Sequence, residues 1–435
     1  QPNITRPGHA WIVQYGTPVH LTFTVDRLKD SRDGMAIWGD ILVESTEQES
    51  SGVLHFARMN LTASDPKYAV ASKLQVKAPE LTRSECYQLL DNVVWIVLTD
   101  YRSDGPLTDL RSHLGNSSTH GYVRAPFLLP NRTTIVHAQG GEGKSWFAQA
   151  LWISTVMGVY FPGAQDVEPT TGIYYDWEDD EDEASERSTA LLKGFGCYQD
   201  KCLPHQELHY RRMWKGTILD RAGSMRRDIA QTGARFVVID SLSNAIGAGG
   251  DSLTDDSTAQ QFNAVVRTLP CARLVIAHQP KSLTERTGTA RLFGSVFFAN
   301  GARSVWELGQ SEDRTVTRDD WNGAITSQLR FGLVHTKANR GRKHRPVGYT
   351  MMFEEDPEQN LAGVSIGPYD VESDIELMSM APLVDQVGAL LSNGSRSETD
   401  IASTLGCTAK IVLRILRQHP NRFTEVGSGW SRGEQ

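Results

Sequence analysis

Cysteine is scarce in this chain, five in 435 residues. An odd count on that scale supplies no disulfide framework and fits a reducing, cytoplasmic setting. The closest set, Cys197, Cys202 and His205, lacks the second pair of ligands that a zinc site needs. No stretch approaches the ~18 uninterrupted apolar residues of a membrane-spanning helix, so no membrane role is expected. Positive charge is not in excess either. With a net charge of -8 the chain has no general basic coat, and nucleic-acid contact has to come from local patches or from a channel built by several subunits. What is present is ordinary for a soluble protein, 39% hydrophobic and 22% charged residues. The length exceeds what one core supports, so two or three domains are expected.

Residues 1–115 read as a β-rich or α+β domain. VHLTFTVDRL, MAIWGDILVE and GVLHFARMNL alternate as strands do, a helix starts at Thr82 with Glu85 closing a capping box, and the buried-looking run NVVWIVLT follows. Polar HLGNSSTHGY forms a linker. From 116 to 370 apolar strands alternate with helical segments, the pattern of a parallel sheet with crossover helices. The expected strands are TTIVHA (133–138), GIYYDW (172–177), ARFVVID (234–240), ARLVIAH (272–278), ARSVWEL (302–308) and LRFGLVHTK (329–337). A late hairpin closes this core, and residues 371–382 read as an acidic tether. Residues 383–435 have helix-turn-helix spacing with Gly406 in the turn, then a hairpin, which is the plan of a winged helix.

The chemistry starts where TTIVHA ends. QGGEGKS and then the apolar run WFAQALWIS follow, so backbone amides gather at a helix N-terminus and form an anion site. Gly140, Gly141, Glu142, Gly143, Lys144, Ser145 and Trp146 make up the phosphate-binding segment. The glycines admit phosphate close to the backbone, Lys144 reaches the terminal phosphates, and the Ser145 hydroxyl ligates Mg²⁺. Ala138 stands where the pattern GxxxxGK[ST] has its first glycine. Asp240, ending the apolar strand RFVVID, is the second Mg²⁺ residue. Ser241 follows it, so the glutamate that many ATPases carry at that point is absent. A hydrolase still needs a base for water, and Glu178, just past GIYYDW, is the candidate. The rest of the acidic run, Asp179 to Glu183, suits a helix start.

A base on the strand after the phosphate loop, together with Asp-Ser at 240–241, resembles the RecA-like superfamily of P-loop ATPases. Within it, EDD after that strand, VVIDSL, VIAHQPK and FGSVFFANGARSVWEL resemble the plasmid RepA-type hexameric replicative helicases, with DnaB-type helicases more distant. The resemblance spans about 123–365. It implies an α/β fold with a RecA-like motor core, ATP and Mg²⁺ as ligands, a homo-oligomeric and hexameric ring, and single-stranded DNA as the track. It also implies residue roles. His278, with Gln279, would sense the γ-phosphate, and Lys281, Arg286 and Arg291 would line the channel. The loop 247–256 is a second channel candidate, but its acidic composition suits closing over nucleotide or a neighbour better than holding phosphate. Lys337 with Arg340, or else Arg303, would reach the next subunit's ATP, although Asn339 stands where the Lys-x-Arg spacing puts the arginine.

In the last segment Lys410, Arg414 and Arg417 are the candidate nucleic-acid residues, with protein docking as the alternative. The flanking domains would recruit replication or recombination partners. The expected function is a single-strand-translocating helicase of a plasmid, phage or similar element. A RecA-like recombinase or mediator and a DNA-bound ATP-dependent regulator are the alternatives.

Overall fold

Alternation of apolar and polar residues drives one face of the longer early strands into a core. Strands β1 (Asn3–Thr5), β2 (Trp11–Tyr15), β3 (Leu21–Asp30), β4 (Ile37–Ser45) and β5 (Gly52–Asn60) pair antiparallel in chain order. Phe23, Val25, Ile41 and Val43 are fully buried in the same core as residues of α1 (Ser64–Lys77) and α2 (Arg83–Arg102). The Thr82–Glu85 box is present: the Thr82 N–H donates to Glu85 at 2.8 Å and the Glu85 N–H to the Thr82 hydroxyl at 3.3 Å. NVVWIVLT is not a separate element but the second half of α2. Val93, Val94 and Val97 face the core and Trp95 stays 68% exposed, as a 3.6-residue period requires.

The computed structural model describes residues 2–6, 10–16, 20–31, 35–45, 52–102, 121–198, 207–247, 255–279, 296–311, 315–318, 325–339, 341–358 and 360–433. The chain divides into two units, one of residues 1–119 and one from 120 onward apart from 268–270.

In the second unit strands and helices alternate: β6 (Thr133–Ala138), α3 (Lys144–Met157), β7 (Gly172–Asp176), α4 (Glu181–Gly194), β8 (His209–Arg212), α5 (Ile218–Thr232) and β9 (Phe236–Asp240). There follow α6 (Leu242–Ala245), α7 (Asp256–Val266), β10 (Ala272–His278), α8 (Val296–Gly301) and β11 (Ser304–Gln310). The order β11-β6-β10-β9-β7-β8 is parallel throughout. All the loops that leave these strands therefore emerge along one edge, where such sheets bind ligands. β12 (Thr315–Arg318), β13 (Ile325–Ala338), β14 (Val347–Glu355) and β15 (Leu361–Tyr369) extend the sheet antiparallel from β11. The buried face of α3 packs Phe147, Leu151 and Trp152 into the core, and the Trp152 indole donates to the Gly172 carbonyl at 3.1 Å. Each such side chain contributes about 1.5–3 kcal/mol by burial.

The mixed α/β class, the large mainly parallel sheet and the antiparallel β-rich N-terminal part agree with expectation. β8 was not expected, because its HYRR sequence carries no apolar run. The acidic segment 371–382 differs from a tether. It forms a short 3-10 turn (Val371–Ser373) and α9 (Ile375–Ser379), and Val371, Leu377, Met378 and Ala381 pack with Val334 of β13. Its charges face outward and its apolar residues inward, a pattern that net acidity conceals. α10 (Leu383–Ser392), α11 (Glu398–Thr404), α12 (Ala409–Gln418) and the hairpin β16 (Phe423–Val426) and β17 (Gly429–Arg432) follow in the expected element order, with Gly406 at φ +61° before α12.

Among the described residues Cys86, Cys271 and Cys407 are free. Cys197 is disulfide-bonded, contrary to the expectation of reduced cysteines. Cys202 and His205 lie outside the described residues, within which no cluster of potential metal ligands occurs. No described helix is long and apolar enough to cross a membrane.

Candidate nucleotide site

The loop between β6 and α3 turns sharply at Gly141 (φ +82°) and Gly143 (φ +85°), left-handed conformations that glycine adopts without strain. Glu142 holds the loop from within by accepting the Gln139 N–H at 3.0 Å. The Lys144 ammonium donates to the Gln139 carbonyl at 2.5 Å. Burial pulls its pKa down, while Glu142, Asp240 and Glu178 oppose that shift. Lys144 is thus a desolvated cation facing carboxylates, placed to meet a polyphosphate. Ala138 is fully buried as the last residue of β6, paired with His278 of β10, so the position belongs to the strand and not to the turn.

Asp240 ends β9 and is buried. The Tyr174 hydroxyl donates to its Oδ2 at 2.6 Å, whereas its Oδ1 has no hydrogen-bond partner. Burial raises its pKa to about 7, with Tyr174 and Ser145 pulling the other way. A buried carboxylate with one oxygen unsatisfied, close to the Ser145 hydroxyl, is a donor set that suits a hard divalent cation. Ser145 and Asp240 therefore fit Mg²⁺.

Glu178 lies two residues beyond β7. Its Oε2 stands 3.3 Å from His278 Nε2 at the end of β10. That contact is the first cause of a lowered Glu178 pKa, with Ser241 and Lys144 adding to it against desolvation. The turn that aims Glu178 is built by Asp176, whose Oδ1 accepts the N–H groups of Glu178 at 2.8 Å and Asp179 at 3.0 Å. Asp179 pairs with Arg187 at 2.6 Å and Asp180 caps α4. The rest of the acidic run is thereby committed to local structure.

Gln279 donates to Nδ1 of His137 at 2.7 Å and to Glu307 at 3.3 Å, linking β10 to β6 and β11. Burial, reinforced by Lys144, holds His137 neutral, with its pKa pulled down to about 3. A cavity of about 520 Å³ opens over the phosphate loop. Its floor is Gly141, Lys144, Ser145, Glu178 and His278, and its far wall comes from β12 to β15 through Val316, Gln328, Leu329 and Phe353. Trp146 meets Phe353 edge-on at 5.0 Å, and the Arg187 guanidinium lies over Trp146 at 5.5 Å.

Residues 118–283 match a family model described as an AAA domain. The match spans less than half of the chain and, with the loop geometry, supports a P-loop ATPase domain in this segment. No curated protein sequence matches the chain. Among solved structures, a KaiC-like protein from the hyperthermophilic archaeon Pyrococcus horikoshii is 14% identical, over 55% of this chain and 91% of that one, with a TM-score of 0.33. A likeness that loose says nothing about activity.

The expected site residues divide in three. Gly140, Gly141, Glu142, Gly143, Lys144, Ser145, Trp146, Glu178, Asp240 and His278 gather at the sheet edge. Lys281, Arg286, Arg291 and Arg340 lie outside the described residues. Lys337 is engaged within its own chain: its ammonium donates to the carbonyls of Ala299, Asn300 and Ala302 at 2.7, 3.3 and 2.9 Å, closing the C-terminal end of α8. A cation is favoured there because unpaired carbonyls collect at a helix end. Arg303 is exposed, and so are Lys410, Arg414 and Arg417, which share one face of α12. Sequence reasoning missed Tyr174, Arg187, the wall of β12 to β15 and the turn-building role of Asp176, which it offered only as a substitute base. The polar residues inside the apolar strand GIYYD were the available signal for Tyr174 and Asp176.

Proposed function

We propose that this chain is an ATP-driven, ring-forming motor that translocates on single-stranded DNA, a helicase serving replication of a plasmid, phage or similar element. The observation that carries the reading is the Glu178–His278 pair beside Lys144 and Asp240. An ionised carboxylate from one strand, held by a side chain two strands away, is placed to orient water at the γ-phosphate and take its proton as ADP leaves. Lys144 and the loop amides bind the phosphates, and the apolar wall at Leu329 and Phe353 suits a base. Mg²⁺ bound by Ser145 and Asp240 would neutralise charge on the phosphates. The exposed row Lys410, Arg414 and Arg417 supports nucleic-acid contact by the winged-helix-like end. In a hexamer Arg303 or Arg340 is the cation left to act across subunits.

One observation favours a second reading, a DNA-bound ATP-dependent regulator: Lys337 is engaged within its own subunit. Strand displacement with electron microscopy separates the two. Rings that unwind duplex in ATP support the motor. Helical filaments point to a recombinase, and ATP turnover indifferent to single strands, with no unwinding, points to the regulator.

A further inference from the structure

Beyond the nucleotide cavity, the parallel sheet ends at edge strand β8, which the chain leaves through Met213, Trp214, Lys215 and Gly216. Met213 is buried, and its N–H donates to the Asp176 carbonyl at 2.6 Å. Trp214 turns outward with 71% of its surface exposed. The Lys215 ammonium lies 4.7 Å from the indole centroid and the Arg212 guanidinium 5.9 Å. Both cations are exposed. Arg211 next door is paired with Asp228 at 2.8 Å, but among the described residues no carboxylate lies within ion-pair distance of Arg212 or Lys215. The patch is thus an exposed indole with two positive charges within cation–π range of its ring and no described carboxylate to neutralise them.

A ligand with flat faces and regularly spaced negative charge complements such a patch, and single-stranded nucleic acid has both. Duplex conceals its base faces inside the stack. We propose that Trp214, Arg212 and Lys215 form a single-strand site in which a base stacks on the indole and the two cations hold adjoining phosphates. The proposal rests on the reading of the chain as a single-strand motor and gives it a contact surface outside the channel loops and α12.

The same loop leans on the hydrolytic centre. The Trp177 indole donates to the Gly216 carbonyl at 3.2 Å, and the Trp177 N–H donates to the Asp240 carbonyl at 2.6 Å. Glu178 is the next residue. A strand seated on Trp214 therefore bears on the turn that aims the base, and the site couples occupancy to turnover.

The test uses the full chain with labelled oligothymidylate and oligouridylate, read by anisotropy at several salt concentrations, alongside ATP turnover. Trp214→Ala should weaken binding about tenfold, the loss of one stacked base, while Trp214→Phe keeps most of the affinity. The double variant Arg212→Ala/Lys215→Ala should reduce the salt slope by about 1.5, the share of two phosphates on a single strand. Stimulation of turnover by oligonucleotide should fall in step with affinity. Equal response to both oligonucleotides is expected, since stacking and phosphate contact ignore the sugar. If Trp214→Ala does not fold, the double variant decides through its salt slope alone. Wild-type affinity in all three variants overturns the site and leaves the motor reading standing, whereas a wild-type chain that binds no single strand overturns both. Loss of self-association with oligonucleotide affinity intact would identify the patch as a subunit contact and overturn the proposal as well.

Discussion

Glu178 and His278 meet across β9: Oε2 of the first lies 3.3 Å from Nε2 of the second, over the end of the strand that carries Asp240. Glu178→Gln keeps the shape and removes the base. Turnover should fall about 10²- to 10⁴-fold with nucleotide affinity little changed, measured by phosphate release and nucleotide titration. Turnover near wild type would refute the assignment, and Asp176 and Asp179 are poor substitutes because their oxygens are already engaged.

His278→Ala tests the same contact through pH. His278 is the first cause of the lowered Glu178 pKa, so its removal lets that pKa rise. The base is then protonated at higher pH, and the acid limb of the turnover profile should move upward. An unmoved limb would mean that Glu178 does not titrate in the rate.

Tyr174→Phe removes the hydroxyl that donates to Oδ2 of the buried Asp240 carboxylate, whose Oδ1 already lacks a partner. The Mg²⁺ concentration for half-maximal turnover should rise about fivefold or more, with a lower melting temperature, since a buried hydrogen bond to a charged group is worth about 1.5–3 kcal/mol. An unchanged Mg²⁺ requirement would separate Tyr174 from the cation site.

Lys337→Ala tests where that lysine acts. As a cap on α8 it should cost about 0.3–1 kcal/mol of stability while leaving turnover per folded molecule intact. A turnover defect relieved by mixing with Lys144→Ala protein would instead show that Lys337 works on a neighbour's nucleotide.

His335 links stability to acid. Its Nδ1 accepts the His344 N–H at 3.0 Å and its Nε2 meets the Ser304 hydroxyl at 3.0 Å, an arrangement for the neutral ring. Burial, helped by His344, lowers its pKa to about 4. The unfolded chain takes up the proton near pH 6.5. The stabilisation is therefore complete above that value and is lost as pH falls from about 6.5 towards 4. His335→Gln should flatten this part of the melting-temperature curve, and an equal acid loss in wild type and variant would count against it.

Much of the parallel sheet was legible because short apolar strands ended in polar residues. Strand, glycine loop and helix follow one another as the sequence pattern predicts, and the apolar run ending in Asp-Ser is a buried strand that ends at Asp240. Legibility failed where a contact depended on sequence-distant geometry. Nothing adjacent to Lys337 announces that α8 ends beside it, and nothing in HYRR announces a strand, because β8 is an edge that needs little apolar sequence. In α2, VVWIV reads equally as strand or helix until the exposed Trp95 fixes the period. The wall of β12 to β15 was hidden for the opposite reason: its strands were recognised in part, but their apposition to the phosphate loop is set by sheet order, which no local pattern encodes.

The packed segment at 371–382 bears on how the chain comes apart. Its buried residues share a cluster with Val334 of β13 and Ala389 of α10, and Arg432 of β17 reaches back to Glu372 with contacts of 2.5 and 3.2 Å. Cutting the chain at residue 382 would bare that cluster and orphan the ion pair, so the sheet-bearing body and the three-helix end should melt together in calorimetry and express poorly apart.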